Sequence, residues 1–241
     1  MQKLPVISFA FLISFSVLSL NGCGGGGGSS APAALPPYIN ATLASFPSGS
    51  APANFKSAMV EIRDGSSSGN SITTATVTMN GAPLIYNTAV GHQIYEGDVF
   101  VSPGGTVNLA VTVAGKTYTA TGTQFDTYPS ISAPASGAAW SANSAHAVSW
   151  SGGSPTANAA YVLGVLAASD PNGLLVWPAT PTNILYVADI AASGNSIPAN
   201  SLTTGGRLII VGIAKTASIP NAAANSLLGI IGFNFVSITV N

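Results

Sequence analysis

A chain of 241 residues holds one or two domains. Only 5% of its residues are charged, against about 25% in an average soluble domain. Six Lys and Arg against seven Asp and Glu leave a formal charge of -1, too few cations for a nucleic-acid surface that must neutralise several phosphates. A hydrophobic fraction of 47% excludes charge-driven disorder. One Cys and two His exclude an internal disulfide framework, a multi-cysteine zinc site and a His-rich metal centre, so no metal and no cofactor is expected.

The chain opens on Met1-Gln2-Lys3, one basic side chain plus the α-amino group, followed by an uncharged, mostly apolar run over residues 4–20. The run is short for a transmembrane helix, which needs about 20 residues, and reads as a secretory signal peptide over 1–22. Its end, Leu20-Asn21-Gly22-Cys23, resembles the bacterial lipoprotein signal. That resemblance makes Leu20, Asn21 and Gly22 the recognition residues of signal peptidase II. It makes Cys23 the acylated first residue of the mature chain, and so implies a membrane partner. One acyl chain holds only marginally, whereas two or three make attachment effectively permanent. Gly24 after the cysteine implies, by the same resemblance, sorting to the outer membrane.

Residues 24–28 are all Gly and are followed by Ser29-Ser30-Ala31-Pro32-Ala33-Ala34. With no side chain able to build a core, residues 23–37 read as a flexible tether. Phosphate binding by the glycines is excluded, because no strand precedes them and no Lys-Ser/Thr follows.

From Tyr38 onward the signals are those of strands. Ala58, Val60 and Ile62 alternate with Met59, Glu61 and Arg63, and residues 73–79 alternate similarly up to Asn80-Gly81, a strong hairpin turn. Val99 and Val101 predict a strand before Pro103-Gly104-Gly105. Val107, Leu109, Val111 and Val113 mark another, turned by Ala114-Gly115 into residues 116–122. This period of two expects one buried and one wet face per strand, as in antiparallel sandwiches. The pattern breaks at Gln124-Phe125-Asp126-Thr127-Tyr128-Pro129 and restarts at Ile131. Further strands are predicted at 147–151, 161–167, 174–177, 184–187, 207–214 and 227–240, with a turn at Asp170-Pro171-Asn172-Gly173. Gly229 and Gly232 predict a bulge or a close backbone approach in the last strand. The fold class is therefore all-β: two tandem immunoglobulin-like antiparallel β-sandwiches, over 38–129 and 130–241, each expected to fold alone.

Pro134, Gly137 and Trp140, followed by Val148-Ser149-Trp150-Ser151-Gly152, resemble the opening of fungal Kre9/Knh1-type immunoglobulin-like modules. Ile197-Pro198, Leu202 and Gly205 resemble the entry to a late strand of fibronectin-type-III-like modules. These resemblances imply a sandwich fold and no catalytic residue. The fungal modules belong to cell-wall proteins, which implies polysaccharide as a candidate partner.

Gly65-Ser66-Ser67-Ser68-Gly69 matches the nucleophile-elbow pattern G-x-S-x-G, but strand signals on both sides predict a hairpin loop, not a strand–turn–helix. His92 and His146 have no acid and nucleophile paired with them in the sequence. Glu96 and Asp98 offer carboxylates two residues apart, but seven in the whole chain do not predict a Ca²⁺ cage or a catalytic pair. Trp150 belongs on the inward face beside Val148, Phe125 and Tyr128 at the junction of the halves, and Trp177, before Pro178, is the candidate ligand-contact residue. The chain is expected to be a non-enzymatic, lipid-anchored envelope protein with a structural or protein-interaction role. The alternative is a carbohydrate-binding module. Edge pairing by the uncharged strands at 107–113, 184–187 or 227–235 is expected to favour self-association or partner binding.

Overall fold

The computed structural model describes residues 35–47, 51–52, 55–88, 93–153, 159–177, 186–187 and 193–241. Leu20, Asn21, Gly22, Cys23, most of the tether and His92 lie outside the described residues. The described elements are all strands, as the alternation requires.

In the first half, the order of pairing differs from the order in the chain. Strands β1 (Tyr38–Ser45), β2 (Ala58–Arg63) and β5 (Ile94–Gly97) lie side by side. So do β4 (Ala82–Asn87), β3 (Thr76–Met79), β6 (Thr106–Val113) and β7 (Lys116–Thr123), and β4 also pairs with β5. Labelled in chain order from A to G, these are sheets A-B-E and C′-C-F-G. Inward residues Ile39, Leu43, Val60, Met79, Leu109 and Val111 are essentially inaccessible and belong to one core cluster. Asn80-Gly81 and Ala114-Gly115 turn the hairpins, each pair with both φ positive (49° and 79°).

Ala114 is the costly member, because its Cβ opposes a left-handed backbone. Ala114→Gly is expected to raise unfolding stability by roughly 0.5–1 kcal/mol, measured by urea denaturation. An unchanged midpoint would count against that strain.

The second half repeats the plan. Strands β8 (Ser130–Ala133), β10 (His146–Ser151) and β14 (Gly194–Ile197) form a three-stranded sheet in the order β14-β10-β8. Strands β12 (Asp170–Trp177), β11 (Ala159–Ala167), β15 (Gly205–Ser218) and β16 (Leu227–Val240) follow one another in the larger sheet. Short β9 (Ala138–Trp140) runs parallel to the end of β16, and β13 (Tyr186–Val187) pairs with β11. Again the sheets are A-B-E and C′-C-F-G, the strand arrangement of fibronectin-type-III sandwiches. The tandem sandwich expectation therefore stands on strand pairing itself.

The halves are joined by more than a linker. β15 and β16 are 14 residues each, about 45 Å when extended, longer than the second sandwich uses. β11 flanks β15 as far as Lys215, opposite Ile230, and the far ends run past it as an arm reaching the first sandwich. There residues Leu227 to Gly232 pair in parallel with Asn40 to Ser45 of β1. One hydrogen-bonded sheet thus crosses the interval between β7 and β8. The second half is not self-contained, because β1 satisfies the outer edge of β16.

Several local expectations are corrected. β16 stays in unbroken register with β15, so it has no bulge. Gly232 is instead a close approach: a Cβ there would run into the Tyr128 ring. The turn predicted over 170–173 falls at Ala168-Ser169, directly between the paired residues Ala167 and Asp170. Val99 and Val101 are buried but unpaired, so burial without a ladder mimicked a strand. β6 (107–113) lies between β3 and β7, and 227–232 of β16 lie between β15 and β1, so neither predicted edge is the end strand of a sheet.

Candidate functional site: surfaces of the two sandwiches

The aromatic side chains are the groups able to stack on a ligand. Trp150 is 2% exposed and lies 5.7 Å from the Tyr161 ring, as its place beside Val148 required. The Tyr161 hydroxyl donates to Gly152 O at 3.0 Å. Trp140 is buried and stacks on His146, centroids 4.2 Å apart and planes 3° apart. The His146 Nε2 lies 2.8 Å from Ser141 O, so the imidazole closes the loop over 141–146. Trp177 sits at the end of β12 opposite Val165, half-buried and packed against the core. No two of these tryptophans make an open stacking platform among the described residues.

Phe125 and Tyr128 are at the junction, as expected. Tyr128 covers Gly232, and Phe125 lies beneath Lys215, whose Nζ is 4.4 Å from the ring centroid. Burial pushes the Lys215 ammonium below its usual range, opposed by Asp126. A phenylalanine group missed by sequence reasoning completes the joint. Phe46 of the first half meets Phe233 of β16, just past the β1 pairing, edge-on at 4.4 Å, and Phe55 meets it at 5.7 Å. Edge-to-face contacts at such distances add to area burial. At the tip, Ile39 N donates to Ser226 Oγ at 3.0 Å and Ala223 N to Pro37 O at 2.9 Å. The only advance signal was the continuous apolar character of 208–214 and 227–236, the mark of strands covered on both faces.

Three carboxylates, Glu61, Glu96 and Asp98, are engaged in structural contacts. Glu61 and Arg63 point to the face of β2 expected to be wet, yet each residue is 8% exposed. Arg63 Nε donates to Glu61 Oε1 at 2.7 Å and Nη1 to Gly69 O at 3.1 Å. Burial raises the Glu61 carboxyl above its usual range, and the Arg63 hydrogen bond and charge oppose this. Glu96 accepts from Asn87 Nδ2 at 2.9 Å, and Asp98 is paired with Lys56 at 2.8 Å. No three of His, Cys, Asp and Glu gather around one point among the described residues. Loop 64–70 is a closed turn, with Asp64 N bonded to Asn70 O and Gly69 N to Ser66 O, and no helix follows Ser67.

One surface has a regular chemistry. Exposed Thr117, Thr119, Thr121 and Thr123 alternate along β7 with inward Tyr118 and Ala120. On neighbouring β6 and β3 the same face carries Thr106, Asn108, Thr112 and Thr76. Thr112 and Thr117 share a 2.9 Å hydrogen bond, and Thr121 Oγ1 donates to Asn108 Oδ1 at 3.1 Å. The face is a lattice of hydroxyls and amides, and Lys116 at the start of β7 lies on the other side of the strand, with its Nζ over the Tyr118 ring.

No family model and no curated protein matches this chain. Among solved structures it is similar to a titin fragment with domains I67–I69, at 10% identity and a TM-score of 0.23, covering 86% of this chain and 66% of that one. It is also similar to fibronectin(III)-like modules of CbhA from Clostridium thermocellum, at 10% identity and a TM-score of 0.23, covering 85% and 94%. Domains 4 and 5 of the S-layer protein SbsC give 13% identity and a TM-score of 0.21, covering 84% and 96%. These overlays are loose, and the sandwich assignment rests on the strand pairing.

Proposed function

We propose that this chain is a non-enzymatic lipoprotein of the bacterial cell envelope, held in the outer membrane through Cys23, whose two sandwiches form a stiff unit for contact with other envelope or surface proteins. The observation that carries the mechanical part is the β1–β16 pairing, which makes one continuous sheet of two sandwiches. Sandwich domains in tandem ordinarily move about a linker, and a shared sheet with a packed phenylalanine cluster opposes that motion. The anchor rests on Leu20-Asn21-Gly22-Cys23 and on the Gly/Ser tether behind it. Polysaccharide binding is a second reading. It rests on the uncharged Thr and Asn face, since the tryptophans are buried or half-buried.

Cys23→Ala tests the anchor. The variant is expected to leave the membrane fraction or to stay as uncleaved precursor. Normal processing together with wild-type fractionation would refute the lipoprotein assignment.

A further inference from the structure

The edges of the two sandwiches are not protected alike. A sheet edge is normally guarded by charge, proline, a bulge or shortness, since its free N–H and C=O groups can template another strand. β12 carries Asp170 and Pro171 and shifts register against β11. β8 is four residues long and runs into Pro134, and β14 is four residues long and runs into Pro198. β7 has none of these devices along its eight residues: no proline, no register shift against β6, and one charge at its first position. That charge, Lys116, is held back, with Nζ 5.0 Å over the ring of Tyr118 on its own strand.

The hydrogen-bonding direction of β7 follows from its register. Val113 pairs with Lys116 across the two-residue turn, and Gln124 N donates to Gly105 O in the same register. Even-numbered residues of β7 therefore bond to β6. The N–H and C=O groups of Thr117, Thr119, Thr121 and Thr123 point the other way, to the edge at which the sheet order ends among the described residues.

We propose that the free edge of β7 pairs antiparallel with β7 of a second copy of this chain, across a two-fold axis at Ala120. The inference rests on the protein-interaction role above and names the partner. The strand is self-complementary in this register. Thr117 meets Thr123 of the other copy and Thr119 meets Thr121, as hydrogen-bonded pairs with threonine opposite threonine. Cross-strand Thr–Thr pairs are favourable. Lys116 meets Gln124, so no like charges oppose each other. A two-fold contact uses the same patch on both copies and closes at a dimer. With backbone bonds carrying the contact, salt has little to screen.

The test uses the full-length chain carrying Cys23→Ser, so that no acyl group brings copies together. Light scattering and sedimentation over rising concentration are expected to show a monomer moving to a dimer, equally at about 50 and about 500 mM salt. Thr119→Pro removes an edge N–H, and Thr119→Lys adds the missing guard. Each is expected to move the midpoint at least about tenfold to higher concentration while the β-type circular dichroism is kept. Thr76→Lys adds the same charge at the exposed first residue of β3 on the same face, two strands from the edge, and is expected to leave the midpoint unchanged. A strict monomer, a dimer dispersed by salt, or a Thr76→Lys effect equal to that of Thr119→Lys would overturn the proposal. Membrane fractionation of the wild-type chain is read separately, so a monomer that still fractionates with membranes overturns the pairing alone.

Discussion

Truncating Ile230 to Ala is expected to cost about 2–4 kcal/mol of unfolding free energy, the range for a fully buried aliphatic side chain whose site cannot collapse. Ile230 is 1% exposed at the joint, where its strand partner Lys215 is the last residue of β15 flanked by β11. It pairs with Leu43 of β1 in parallel and reaches across to Gly122 of β7. Loss of its side chain therefore opens a cavity between elements of both halves. Ile231 to Ala, one residue along and half-buried on the other face, is expected to cost less than about half as much. Gly232→Ala should act at the same joint by the opposite route. Its Cβ would enter the Tyr128 ring, and overpacking of this kind costs about 1–3 kcal/mol. Denaturant unfolding of the three variants measures all of this. Equal and small losses at Ile230 and Ile231 would mean that the arm is not packed as described.

The arm also sets the expectation for a segment of residues 130–241 on its own. Leu228, Ile230 and Phe233 would lose their cover, and the outer edge of β16 would lose β1. Such a segment is expected to associate or to precipitate. The sequence break at 124–129 marks where one sandwich stops and the next begins, but not where hydrogen bonding stops.

Arg63→Met is expected to destabilise the protein by about 3–5 kcal/mol, because it leaves the Glu61 carboxylate buried without its partner. The side chains of the pair are each 10% exposed, so solvent does little to replace the lost contact. Replacing both, Glu61→Met with Arg63→Met, removes the uncompensated charge and is expected to recover most of the loss. Glu61 also gives a pH signature. Its carboxyl is raised in the folded state, chiefly by burial, so the folded protein binds its proton at higher pH than the unfolded chain does. Stability at this group is therefore gained as pH falls from neutrality through the folded value and is lost again as pH rises. Relative to Glu61→Gln, whose amide does not titrate, the wild type is expected to gain stability on acidification toward the ordinary carboxylate range. A wild type that loses stability relative to Glu61→Gln over the same interval would reverse the assigned cause.

The sequence made local structure legible where one face is buried and the other wet. β6 and β7 show the alternation plainly, and Asn80-Gly81 and Ala114-Gly115 turn the chain where the φ angles demand it. Trp150, Phe125 and Tyr128 fell where their neighbours implied. Alternation failed for Glu61 and Arg63, because a pair that satisfies itself can occupy a buried face that the pattern assigns to water. It also failed for Val99 and Val101, which are apolar for burial alone. The β1–β16 pairing joins segments about 190 positions apart, and no local period carries information on which distant strand lies beside which. The same non-local placement made strands 107–113 and 227–235 look like free edges, although both are central, and hid the edge at β7.

The most direct test of a single stiff unit is differential scanning calorimetry of the full chain. The shared sheet predicts one cooperative transition, with the van't Hoff enthalpy equal to the calorimetric enthalpy, because neither sandwich can unfold without stripping β1 or the arm from the other. Two resolved transitions, one of them unmoved by Ile230→Ala, would contradict it.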